Sequence, residues 1–343
     1  MAAPASQSAP APAANLSLKS LEELKETLHY DTQHPLQHVD IYQTSKAPET
    51  VWIVFIHGGA WRDPTKTTSV CLPLFTHLHR TLNGYQSPTS SKCTPTTPIN
   101  PAIPPFRPLP PSSDPISFAS LSYRLSPHPE YPNVSPPNTS QHPDHINDVE
   151  AGIAFLKRER GMRRYIVVGH SAGGTMGGQM IYRSMQRWRK AIAAGEKVEE
   201  PHKSLISMIG VEGIYSLPSI STEGGPEYDK FLVAAFGPKP AASNTESAEK
   251  TERNTWEEAS PAITGIDGYK GLVVLVHSDE DKLVSWDQVD EMKTVVENTR
   301  GVGGGCRVLK VKGEHDEVLE EERFGCVVEG LVRELVIKPE GRS

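Results

Sequence analysis

Gly169-His170-Ser171-Ala172-Gly173 follows the apolar run Tyr165–Val168 and precedes a segment, Thr175–Ile192, with apolar residues at helical spacing. A strand that turns sharply into a helix, with Ser at the apex, is the geometry encoded by G-x-S-x-G. The turn lifts the hydroxyl clear of the sheet and the glycines make room around it. So short a pattern also arises by chance, and its context decides its meaning. Upstream, His57-Gly58-Gly59-Ala60-Trp61 ends a second apolar run, Val51–Ile56. Small residues there allow backbone amides to approach a substrate oxygen that gains charge. A serine nucleophile and amide donors for an oxyanion together imply acyl transfer.

Working outward, Leu21–Thr27 has a short helical pattern, and His38–Gln43 and Thr50–Ile56 have strand patterns. Cys71–Leu82 is helical. Ile116–Tyr123 is a strand, and Asp144–Glu159 is an amphipathic helix with Ile146, Val149, Ile153 and Leu156 on one face. Leu205–Ile214 and Gly271–His277 are apolar strands, and such continuous runs suit a sheet covered on both faces. Trp286–Asn298 is a helix, Arg307–Val311 a strand and Glu317–Leu335 a closing helix. This alternation predicts an α/β fold with a doubly wound, mostly parallel sheet and helices on both faces. Residues 1–18 are expected to be a disordered tail and 19–338 one domain. A Pro/Ser/Thr-rich insertion interrupts it at about 84–115, where missing amide donors block helix and sheet alike. The polar stretch Pro238–Arg253 is expected to form a surface excursion.

Serine is a weak nucleophile until a base takes its proton, and that base must be oriented by a third group. In the chain order Ser, acid, His, the strand ending at His277 leads into Asp279-Glu280-Asp281, and Arg307–Val311 leads into Glu314-His315-Asp316. His315 is the base this order selects. Asp281 is preferred as the acid, with Asp279 the alternative. His277 ends an apolar strand and is read as structural, and His57 and His170 as shaping their turns. The oxyanion donors are the amides of Gly59, Ala60 and Ala172, the last at a helix N-terminus. Trp61 has two readings, packing beneath its loop or lining a substrate pocket.

The chain has 343 residues and a formal net charge of −7, which argues against a nucleic-acid partner and for a small-molecule substrate. No apolar stretch reaches the length of a membrane span. Cys71, Cys93, Cys306 and Cys326 lack metal or redox spacing, so ordinary thiols and a reducing, cytoplasmic compartment are expected. The histidines lack metal-ligand spacing, so no metal and no cofactor are assigned.

At these residues the chain resembles the esterase branch of the α/β-hydrolase superfamily, and within it the fungal kynurenine formamidases (arylformamidases). The resemblance rests on His57–Trp61 as an HGGxW motif, Tyr123-Arg124-Leu125-Ser126 after a strand, the elbow Gly169–Gly174, and Gly213-Ile214-Tyr215-Ser216-Leu217. In the last run many relatives have Asp where Ser216 stands. The resemblance implies hydrolysis of N-formyl-L-kynurenine to L-kynurenine and formate, a step of tryptophan breakdown that feeds NAD synthesis, and a homodimer. It also implies stacking of Trp61, and of Tyr228, Phe231 or Phe236, on the aryl ring, although core packing suits the last three better. A carboxylesterase with the same residues is the rival reading, and a non-catalytic ligand receptor on the same fold the second.

Overall fold

A computed structural model describes residues 19–83, 116–240, 254–299 and 305–336. The expected tail, the 84–115 insertion and most of the polar excursion lie outside them. The sheet is built from β1 (Lys25–His29), β2 (His38–Tyr42), β3 (Val51–Ile56), β4 (Ile116–Leu121), β5 (Arg164–His170), β6 (Leu205–Val211), β7 (Leu272–Ser278) and β8 (Cys306–Val311). Its order is β1-β2-β4-β3-β5-β6-β7-β8. The pairs β1–β2 and β2–β4 are antiparallel, and every other neighbouring pair is parallel.

Strand β3 shows why both faces are covered. All its residues are buried. Trp52, Val54 and Ile56 join one hydrophobic cluster, while Val51, Ile53 and Phe55 join another, as the alternation of side chains along a strand requires. The first cluster takes Ile146, Val149, Ile153 and Leu156 from α3 (Asp144–Arg160), with Met176 and Met180 from α4 (Ala172–Ala193). It also takes Val289 and Met292 from α8 (Trp286–Asn298). The second takes Leu74, Phe75 and Leu78 from α2 (Leu72–Leu82) and Phe324, Val328 and Leu331 from α9 (Glu322–Val336). The doubly wound architecture expected from the alternating pattern is the one observed, down to the apolar face of α3.

Several boundaries differ from the expectation. The first helix, α1 (Leu21–Leu24), is short and the chain continues as β1, because Lys25–His29 pairs with β2, Thr27 opposite Asp40. Tertiary pairing overrides the local helical pattern there. Strand β6 ends at Val211 rather than Ile214. The closing helix is divided: Glu317–Leu319 forms a 3-10 turn that buries Val318 and Leu319, and α9 begins at Glu322. Helix α5 (Leu217–Phe236) was not expected. It kinks at Gly225, where φ is +58°, and Pro226 follows the kink. The four-residue helices α6 (Thr255–Glu258) and α7 (Pro261–Thr264) lie between it and β7. Cys71 and Cys306 are free thiols, but Cys326 is disulfide-bonded, which corrects the expectation of ordinary thiols throughout. Among the described residues no helix is long and apolar enough to cross a membrane.

Candidate active site

The parallel strands deliver their loops to one edge of the sheet, the edge where open α/β sheets place their sites. Ser171 stands between β5 and α4 with φ +53° and ψ −118°, a conformation disfavoured for a residue with a Cβ. The turn is held because its neighbours leave no room for side chains. A Cβ on Gly169 would fall 2.2 Å from the Gly173 carbonyl oxygen, and one on Gly173 would fall 2.1 Å from that of Ile56. The Ser171 amide donates to the Val211 carbonyl at 2.9 Å, tying the elbow to the end of β6.

The loop after β3 lies against this elbow. A Cβ on Gly58 would meet the Ser171 Cβ at 2.8 Å. Gly59, Ala60 and Trp61 have φ of +92°, +48° and +58°, so the backbone winds through the left-handed region for three successive residues. Neighbouring groups fix it there. Tyr123 donates its hydroxyl to the carbonyls of His57 and Gly58, at 3.0 and 3.1 Å, and its ring stacks on His57 at 4.4 Å. Burial pushes the His57 imidazole down to about 4, so it stands neutral in this stack. Arg124 grips Asp148 with two 2.8 Å bonds, and the Ser126 amide donates to the Trp61 carbonyl. The Tyr123–Ser126 run therefore buttresses the glycine loop.

His315 and Asp281 meet at the same edge. His315 Nδ1 donates to Asp281 Oδ2 at 2.7 Å, with the Asp281 side chain fully buried and His315 8% exposed. The other oxygen, Oδ1, accepts the amides of Leu283 and Val284. Burial alone would raise the Asp281 carboxyl. The hydrogen bond and charge of His315, with those amides, outweigh it and hold the group down to about 2. Asp279 is drawn away to Lys310 Nζ at 3.0 Å, and Glu280 accepts the Gly313 amide at 2.9 Å. Of the three acids, Asp281 is thus the one bonded to His315. The His315 loop is itself pinned: its carbonyl accepts His170 Nε2 at 2.9 Å, and Asp316 pairs with Lys66 at 2.7 Å.

Trp61 is only 1% exposed, stacked against Phe231 and edge-on to Phe236 at 4.8 Å. Its ring is packed within this aromatic cluster. Phe231 and Phe236 are buried with it, and Tyr228 donates its hydroxyl to the Leu283 carbonyl. Ser216 caps α5, accepting the Ser219 amide, a duty that Asp at this position fills equally well. Beside the loop an open cleft of about 860 Å³ runs between residues 127–139 and α5, with Arg62, Tyr131, Lys230 and Val233 among its walls.

One buried acid near these residues is not among the sequence expectations. Glu212, directly after β6, is fully buried with φ +48°, and its Oε2 lies 2.5 Å from His277 Nδ1. Its only sequence signal is a lone acid between an apolar run and Gly213.

No family model matches the chain. A kynurenine formamidase-like hydrolase of Fusarium equiseti is 31% identical over 297 residues, covering 81% of each chain. A kynurenine formamidase of Aspergillus versicolor is 28% identical, covering 78% of this chain and 83% of its own. The kynurenine formamidase of Saccharomyces cerevisiae is 25% identical, with 69% and 72% covered. Among solved structures, esterase B of Lactobacillus rhamnosis superposes with a TM-score of 0.58 at 12% identity, covering 91% of this chain and 87% of its own. A carbohydrate esterase from gut microbiota gives 0.57 at 14%, with 93% and 99% covered. The chain therefore belongs to the kynurenine formamidase family, built on the α/β-hydrolase fold.

Proposed function

We propose that this protein hydrolyses N-formyl-L-kynurenine to L-kynurenine and formate, with Ser171 as nucleophile, His315 as base and acid, and Asp281 as the group that orients His315. The observation that carries the reading is the 2.7 Å bond from His315 Nδ1 to a buried, ionised Asp281. It commits Nδ1 to donation and leaves Nε2 as the nitrogen that accepts a proton. Ser171 Oγ attacks the formyl carbon while His315 Nε2 takes its proton. The oxyanion is received by the amides of Gly59, Ala60 and Ala172, the last at the positive end of α4. As the C–N bond breaks, His315 returns the proton to the aryl nitrogen and L-kynurenine leaves. Water then attacks the formyl-enzyme, its proton passing to His315 and onward to Ser171 Oγ, and formate departs. The product would enter tryptophan breakdown toward NAD.

The cleft beside the glycine loop suits the rest of the substrate. The Arg62 amide donates to the Gly59 carbonyl at 2.9 Å, and its guanidinium lies over the Phe231 ring while lining the cleft. A cation there supplies a partner for the substrate's carboxylate. The single sheet running from Lys25 to Val311 supports reading 19–338 as one hydrolase domain.

The test is the ratio of kcat/KM for N-formyl-L-kynurenine to that for a p-nitrophenyl ester of a short acid. A formamidase gives a ratio above one. A ratio well below one would identify an esterase using the same residues. Arg62→Met should raise KM for N-formyl-L-kynurenine about tenfold and leave formanilide, which has no carboxylate, unaffected.

A further inference from the structure

Strand β6 lies between β5, which carries Ser171, and β7, which leads to Asp281. Glu212 follows its last residue. Val211 accepts the Ser171 amide at 2.9 Å, and the Glu212 amide donates to Val276 of β7 at 3.0 Å. The side chain is enclosed with His277 and Asp281, one polar atom from each lying within 4.8 Å of the others. Glu212 and His277 are both fully buried, and both Glu212 carboxyl oxygens and both His277 ring nitrogens lack a hydrogen-bond partner of good geometry. A buried carboxyl beside a buried carboxylate cannot also be ionised without large cost, so one of the two keeps a proton. Asp281 is bonded to His315 and two amides, all favouring its charge. The proton therefore stays on Glu212.

We propose that Glu212 is a positioning residue for the catalytic relay, its carboxyl donating a hydrogen bond to the Asp281 carboxylate and so fixing the oxygens that receive His315. The proposal rests on the reading of Ser171, His315 and Asp281 given above. Burial, then the hydrogen bond and charge of Asp281, push the Glu212 carboxyl up to about 10, which agrees with a neutral donor. A donor at Glu212 agrees with the lowered Asp281 carboxyl. Its backbone conformation, φ +48°, is one that glycine adopts more readily, so the acid is kept at a conformational cost. The titratable groups facing the pair are His277 from β7, His315 from the β8 loop, Tyr215 beyond β6 and Tyr228 from α5. Lys310 of β8 is engaged with Asp279.

The experiment is the pH profile of kcat and kcat/KM for the full chain carrying Glu212→Gln or Glu212→Met, with Ser171→Ala alongside. Gln keeps a neutral donor, so kcat should hold within about twofold and the acid limb of kcat/KM should stay in place. Met keeps the volume and removes the donor. Its kcat should fall about tenfold to a hundredfold at unchanged KM. The acid limb should move to higher pH, since a less satisfied Asp281 attracts the imidazolium more strongly. A wild-type profile for the Met variant overturns the proposal. So does a limb that moves to lower pH in the Gln variant, because that marks the loss of a negative charge, and this second outcome decides even if the Met variant does not fold. An active Ser171→Ala would sink the relay itself. A dead Ser171→Ala beside a wild-type Met profile sinks only the role of Glu212.

Discussion

Two carboxyl–imidazole pairs stand side by side at the carboxyl edge of the sheet, Asp281 with His315 and Glu212 with His277, and they differ in charge state. The first has its polar contacts in order: His315 Nδ1 at 2.7 Å on one oxygen, two amides on the other, and an imidazole 10% exposed. Its acid is held down to about 2. In the second both partners are fully buried, the acid is pushed up to about 10, and burial pushes His277 down. A carboxyl and an imidazole thus form a charged pair where hydrogen bonds support the charge and a neutral one where burial dominates. The charged pair can serve acyl transfer, and the neutral pair can brace it.

Breaking one member of each pair gives the widest separation. His315→Ala should lower kcat on the order of 10⁵ to 10⁶, whereas His277→Phe, replacing a ring packed 4.8 Å from Trp286, should cost about tenfold or less. Steady-state rates on N-formyl-L-kynurenine measure both. Next in size is Asp281→Asn, which should lower kcat about 10⁴-fold, with Asp279→Asn, an exposed partner of Lys310, within about twofold of the parent.

Thermal unfolding against pH sharpens the contrast further. Glu212 has a folded value near 10, above the unfolded carboxyl value of about 4.3. Its stabilisation is present below about pH 4.3 and is lost as pH rises toward 10. Glu212→Gln, which has no proton to lose, should therefore gain on the parent between pH 5 and pH 9 by several degrees in Tm. A parallel shift of both proteins would contradict the neutral pair. The smallest effect lies on the acid side. Asp281, lowered to about 2, and the buried His57 and His145, lowered to about 4 and about 3, have depressed folded values. Their stabilisation is present at neutral pH and is lost as pH falls, the histidines' from about 6.5 downward and that of Asp281 below about 3.9. Asp281→Asn should flatten only the lowest part of that decline.

The charged pair was legible in the sequence and the neutral one was not, for a physical reason. Ser171 follows an apolar strand at a glycine-bounded turn, and Asp281 and His315 follow theirs in polar loops, so strand periodicity and chain order point to them. The sequence already prefers Asp281 over Asp279, and the loop gives a physical reason: Lys310 claims one acid and the Leu283 and Val284 amides seat the other. Glu212 sits inside what reads as a continuing strand, and only the left-handed turn after Val211 sends its side chain toward Asp281. Helix α5 was hidden by the Gly224-Gly225-Pro226 run, which reads as a loop yet forms a kink that Pro, needing no amide partner, restarts. Strand β1 was hidden because its conformation comes from pairing with β2 rather than from its own residues.

The central claim is that Ser171 is the nucleophile, activated by the charged pair. Labelling the full chain with a fluorophosphonate, followed by peptide mapping, reads this directly. A stoichiometric adduct on Ser171, formed in parallel with loss of formamidase activity and abolished in His315→Ala, is the expected result. An adduct on any other residue, or full activity in protein labelled at Ser171, would contradict it.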